Sequence, residues 1–193
     1  MVFEFKPEQY GTRVASLLAD APLCELGPGQ PNRGPLTELD SLDAADLFEG
    51  KPIRDGNMAQ ACLAGLWLRH NDLDRSHTIS QSIPTAEGSF WHGIMHRREP
   101  DPSNAKYWFR KVGQHAIFDD LLPEARALIE AESSPSQPLA SLANESRWDA
   151  FHFIDCCDAH MGNSDHNEAL CKQIQEKEWQ LLFDYCYRKA LGQ

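Results

Sequence analysis

Residues 91–110 read WHGIMHRREPDPSNAKYWFR, and the reading of this stretch decides the fold. Phe90, Trp91, Ile94 and Met95 recur at helical spacing, and Ala105, Trp108, Phe109 and Val112 do the same after the break EPDPSN. Two helices joined by a proline-containing turn, with Ser103 or Asn104 able to cap the second, explain the pattern better than any strand. The same spacing recurs through almost the whole chain, and no run alternates with period two between turn residues. The sequence therefore predicts an all-α protein, a bundle of antiparallel helix hairpins with about 7–8 helices and no significant sheet.

Working outward, helical patterns are expected over residues 7–20, 41–48, 57–70, 72–83, 85–98, 103–112, 116–132, 147–160 and 165–191, the last being the longest. Residues 21–37, with the run APLCELGPGQPNRGPL, are rich in Pro and Gly and read as an irregular loop, and residues 133–146 read as a Pro/Ser-rich connection. The 47 residues beyond that connection are few for a core of their own, so a single domain over 1–193 is expected. Setting Gly65 against Gly93 aligns AGLWLRHNDLDRSHTISQSI with HGIMHRREPDPSNAKYWFRKV. This is the layout of a tetratricopeptide-like hairpin, although the 28-residue offset falls short of the ~34 of that repeat and no third copy follows.

A net charge of −11 excludes a sequence-independent grip on nucleic acid or an anionic membrane, both of which need a basic surface. No apolar run approaches the ~20 residues of a membrane span, and the first residues lack a secretory pattern, so a cytoplasmic protein is expected. The six cysteines form no CxxC pair and mostly fall within helical apolar patterns, which points to buried thiols and away from a structural zinc knot or a disulfide framework.

Chemistry concentrates in the opening stretch and its flanks. His92 and His96, at i and i+4, project from one face of their helix and suit joint coordination of a divalent metal. Candidates for a third ligand are His77, Glu99, Asp101, His115, His152 and Asp155. His77 and Gln81 share a face of the preceding helix, and the short turn at Pro84 brings that helix alongside. Arg97, Arg98, Lys106, Arg110 and Lys111 put five cations between residues 97 and 111 of an acidic chain, enough to hold a phosphate or carboxylate. Arg98 and Glu87 fall within the apolar side of their own helix, so each needs a partner from another element. His152 with Asp155 or Cys156 has helical ligand spacing, and the His152–Asp155 pair would also suit general-base work. Cys156 beside His152 is a candidate nucleophile, although a buried structural thiol is the commoner reading.

The run from Phe90 to Val112, together with RWDAFHFIDCC and EWQLLFDYC further on, resembles a group of bacterial proteins that share a tryptophan, histidine and double-arginine signature. The resemblance spans much of residues 77–187, with WHGIMHRRE and NAKYWFR its specific pieces; HAIF after Gln114 and Cys157 are local departures. No activity, cofactor or catalytic residue is assigned to that group, so the resemblance carries none here.

Two functions follow from the residues. One is a polar cavity lined by His77, Gln81, His92, His96, Arg97 and Arg98, with Lys106 and Arg110 nearby, which binds a small anionic or metal-containing ligand and acts as a metal-dependent hydrolase. The other is a non-catalytic helical module for a protein partner, in which the cations only anchor the hairpins.

Overall fold

The structure is a computed structural model that describes residues 3–19 and 21–193. Ten α-helices and two short 3-10 turns account for the regular structure, and the described residues contain no strand. The helices are α1 (Thr12–Leu18), α2 (Arg33–Leu39), α3 (Gly56–Arg69), α4 (Leu73–Ser80), α5 (Ala86–Arg98), α6 (Pro102–Val112), α7 (Phe118–Ala131), α8 (Gln137–Ala143), α9 (Ala150–His160) and α10 (His166–Ala190).

Ten helices replace the expected seven or eight, for two local reasons. α2 and α8 lie inside or across the edge of stretches expected to be irregular, 21–37 and 133–146. In α8 Pro138 occupies the first turn, where a missing N–H costs nothing, so proline there marks a start and not a break. Conversely, residues 41–48 form turns ending in the 3-10 segment Asp46–Phe48, and the first expected helix divides at Gly11, whose φ of 105° suits glycine alone. The expected end of that helix at Asp20 lies outside the described residues. α7 runs through Pro123, which sits early in the helix on its exposed side.

Side-chain carboxylates start most of the helices around the site. Asp55, Asp72, Asp101, Asp149 and Asp165 accept backbone N–H bonds at the starts of α3, α4, α6, α9 and α10, and Thr85 does so for α5. Consecutive helices α3, α4, α5 and α6 pack on one another, with α5–α6 the most extensive pair. The succession then changes, because α6 finds its second main neighbour in α9. The 25-residue α10 packs against α3, α7 and α9.

One buried apolar cluster runs from Tyr10 to Ala190. Along α10, Trp179, Phe183 and Tyr187 form a ladder at i, i+4 and i+8, and Phe5, Tyr10 and Phe48 stack against it with ring centroids 4.6–6.1 Å apart. Trp179 Nε1 donates to the Gly65 carbonyl at 2.8 Å, which fixes α10 on α3. Two glycines admit aromatic rings. A Cβ on Gly65 would lie 2.8 Å from Trp91, and one on Gly93 would lie 2.7 Å from Phe109. The two positions aligned in the sequence thus do the same work, each letting a neighbouring helix's ring reach the backbone.

α5 is the central helix. Every residue from Glu87 to Arg98 is buried, including Glu87, Ser89, His92, His96, Arg97 and Arg98. Its polar side is therefore enclosed between neighbours, and its polar atoms must find partners inside the protein. No helix among the described residues is long and apolar enough to cross a membrane.

Candidate metal centre

The enclosed polar side of α5 meets α4 and α6, and three imidazoles converge there. His77 comes from the middle of α4, and His92 and His96 come from consecutive turns of α5. One ring nitrogen of each lies within 4.8 Å of the others. The ring centroids are 4.5 Å apart for His77–His92, 4.7 Å for His92–His96 and 5.5 Å for His77–His96. His92 and His96 are buried and His77 is half-buried, so the cluster reaches solvent through His77.

The surrounding bonds fit one arrangement of the ring protons. In the tautomer with Nδ1 protonated, Ser80 Oγ, which lies 3.3 Å from the His77 carbonyl, accepts from His92 Nδ1–H at 3.0 Å. His96 Nδ1–H donates to Glu99 Oε2 at 2.7 Å. Both rings therefore keep the Nε2 lone pair, and His96 has the carboxylate–histidine arrangement that orients metal-ligating imidazoles. One group competes: the Asn104 amide Nδ2 lies 3.1 Å from His96 Nε2 and 3.3 Å from Nδ1. A metal at His96 Nε2 has to displace that amide.

The electrostatics favour a neutral His92. Burial, followed by the fields of His96, His77 and Lys111, pushes the His92 pKa down to about 3. At neutral pH His92 has no proton to lose before it coordinates. Tetrahedral coordination with metal–nitrogen bonds of about 2.1 Å needs ligand nitrogens about 3.4 Å apart, so a metal there would require the rings to draw together from their present spacing, which is within 4.8 Å.

The remaining sequence candidates lie elsewhere. Gln81 is exposed at the end of α4. Arg97 turns to α10, where its guanidinium donates to Glu178 Oε2 at 2.5 Å and to Gln175 Oε1 at 3.1 Å over the Phe153 ring. Arg98 is fully buried with no carboxylate partner among the described residues. It donates to the carbonyls of Gly27, Leu68 and Pro28 and to Asn71 Oδ1, closing the end of α3 and holding the 21–37 segment. Lys106 and Arg110 face α9, Lys106 on Asp155 at 2.5 Å and Arg110 over the Phe151 ring. Among the other candidate ligands, Asp101 caps α6, His115 pairs with Glu87 at 3.5 Å and His152 with Glu145 at 3.3 Å. Cys156 is buried with its thiol pKa pushed up to about 12 by burial, so it is no nucleophile beside His152.

Three residues at the cluster, Ser80, Asn104 and Trp108, escaped the sequence reading as site groups, and Lys111 figured there only as one of five cations. Trp108 was expected in the core, yet it is half-exposed with its ring 4.0 Å from that of His92. Asn104, Trp108 and Lys111 fall at i, i+4 and i+7 of α6, a helical stripe that marks them as one face. No known protein family, curated protein or solved structure matches the chain.

Proposed function

We propose that His77, His92 and His96 bind a divalent transition metal, with zinc the best match to three imidazoles, and that the centre activates water for a hydrolytic reaction. The observation that supports this reading is the convergence of three imidazoles whose two inner members already use Nδ1 on Ser80 and Glu99. Three protein ligands leave a fourth tetrahedral position for water, and a bound metal lowers the pKa of that water toward neutrality. His77, the half-buried member, gives the cluster its access to solvent, and a metal held by the three rings would supply an activated water between α4, α5 and α6.

The observation favouring a structural role is Asn104, whose amide reaches His96 Nε2 without any metal. In that case the chain is a helical module, built of antiparallel hairpins, whose polar cluster only joins α4, α5 and α6. Elemental analysis after dialysis against Zn²⁺ separates the two. The metal reading expects one ion per chain in the wild type, loss of that ion in His92→Ala/His96→Ala, and its retention in His160→Ala, which alters a histidine bonded to Ser136 outside the cluster. A wild type without zinc, or a double variant that keeps it, refutes the reading.

A further inference from the structure

Around the three histidines the charge is unbalanced. Lys111 is exposed one turn beyond Trp108, with its Nζ 4.0 Å from the Trp108 ring centroid and 4.7 Å from that of Tyr107. No carboxylate lies within 4.0 Å of its ammonium among the described residues, whereas Lys106 on the same helix is paired with Asp155. Tyr107 is one of only two large hydrophobic side chains that are exposed among the described residues, at 49%. An unpaired cation on two aromatic rings therefore stands beside the cluster, separated from His92 by the Trp108 ring against which His92 packs.

The acids nearby are committed. Glu99 accepts from His96, and Asp101 caps α6. With a divalent ion on the histidines, the ion and Lys111 would contribute three positive charges against the two negative charges of Glu99 and Asp101. In a chain of net charge −11, this is a local positive site that bulk electrostatics do not supply.

We infer that the ligand of this centre is a small molecule carrying an oxyanion, a phosphate or a carboxylate, joined to a flat apolar part. Its oxyanion bridges the metal's open position and the Lys111 ammonium, and its flat part lies on Trp108 and Tyr107. The inference rests on the metal reading and deepens it by naming the substrate class. Of the five cations that the sequence offered for an anion, Lys111 is the one beside the histidines, since the guanidinium groups of Arg97 and Arg98 are used elsewhere in the fold. A lysine suits the task as a mobile point charge whose stem can swing from the rings to the ligand.

Calorimetric titration of the zinc-loaded protein with phenyl phosphate, inorganic phosphate and benzoate tests this. Phenyl phosphate or benzoate should bind, whichever of the two oxyanions the centre prefers, and phenyl phosphate should bind more tightly than inorganic phosphate. Lys111→Met should weaken that binding by about tenfold or more, the usual effect of removing a charge-assisted contact, with zinc content unchanged. Lys111→Arg should retain most of the affinity, and Arg110→Met, which removes a neighbouring cation facing α9, should leave it unaltered. A zinc-loaded protein that binds none of the three anions, or binds them equally well as Lys111→Met, overturns the inference while leaving the metal centre standing. Failure to hold zinc at all overturns both.

Discussion

Replacing Arg97 with methionine tests the interior that carries the histidines. Arg97 is 2% exposed and Glu178 is fully buried; two hydrogen bonds join them, and a third links Arg97 to Gln175. The substitution leaves the Glu178 carboxylate without its counter-charge between α5 and α10. Removing one partner of a buried ion pair costs about 3–5 kcal/mol, a large part of a typical total stability of about 5–15 kcal/mol. At roughly 2–4 °C per kcal/mol for a chain of this size, the melting temperature should fall by about 6–20 °C. Arg97→Met/Glu178→Met removes both charges and should recover most of the loss, because two apolar side chains of similar length can occupy the space. Thermal melts followed by circular dichroism measure both variants. A single variant within about 1 kcal/mol of wild type, or a double variant as unstable as the single, refutes the reasoning. Zinc content of the folded single variant should match wild type, since Arg97 touches none of the three histidines.

Three further outcomes are expected. Burial, followed by the field of Arg69, pushes the His70 pKa down to about 4; the unfolded chain takes up a proton near pH 6.5 that the folded chain refuses, so stability is lost as pH falls from 6.5 to 4. The loss is up to ~3 kcal/mol, and a His70→Gln variant with the same pH dependence as wild type would count against it. Gly88→Ala sets a Cβ against the Ile83 backbone carbonyl, with the Ile83 Cβ at 2.6 Å, so urea unfolding should show a net loss of about 1–3 kcal/mol despite alanine's better helix propensity; a gain refutes the packing. All six cysteines are free and buried, so a thiol reagent should label none until denaturant opens the core, and immediate labelling of any would contradict the structure.

How much the sequence revealed depended on what each signal measures. Helical periodicity reports a helix with one buried side, so the all-helical character was legible throughout. It says less about α5, where both sides are buried and the polar face is closed in by α4 and α6. Helices α2 and α8 were hidden because Pro and Gly were read as breaks, although Pro138 lies where proline can begin a helix. The spacing of His92 and His96 and the short turn at Pro84 were local signals, and the structure brings those two rings together with His77. The destinations of Arg97 and Arg98 were not local: they depend on α10, the end of α3 and residues 27–28, distant in sequence from the arginines. Lys111 was visible as a charge, but its lack of a partner is a tertiary fact.

The way Arg98 is bound bears on how the molecule comes apart. Its acceptors, three backbone carbonyls and the Asn71 amide, have no proton to gain in mild acid. Arg69 grips the same segment at the carbonyls of Ala21 and Pro22. Arg97 and Lys106 are instead held by carboxylates, of Glu178 and Asp155, and acid denaturation acts in general through paired carboxylates. Acid should therefore loosen the contacts of α5 with α10 and of α6 with α9 before it frees residues 21–30. The stretch with the least regular structure has one ion pair of its own, Glu25 with Lys172 at 2.6 Å, but is fastened mainly through backbone carbonyls, and in an acid-expanded state it should be among the last to detach.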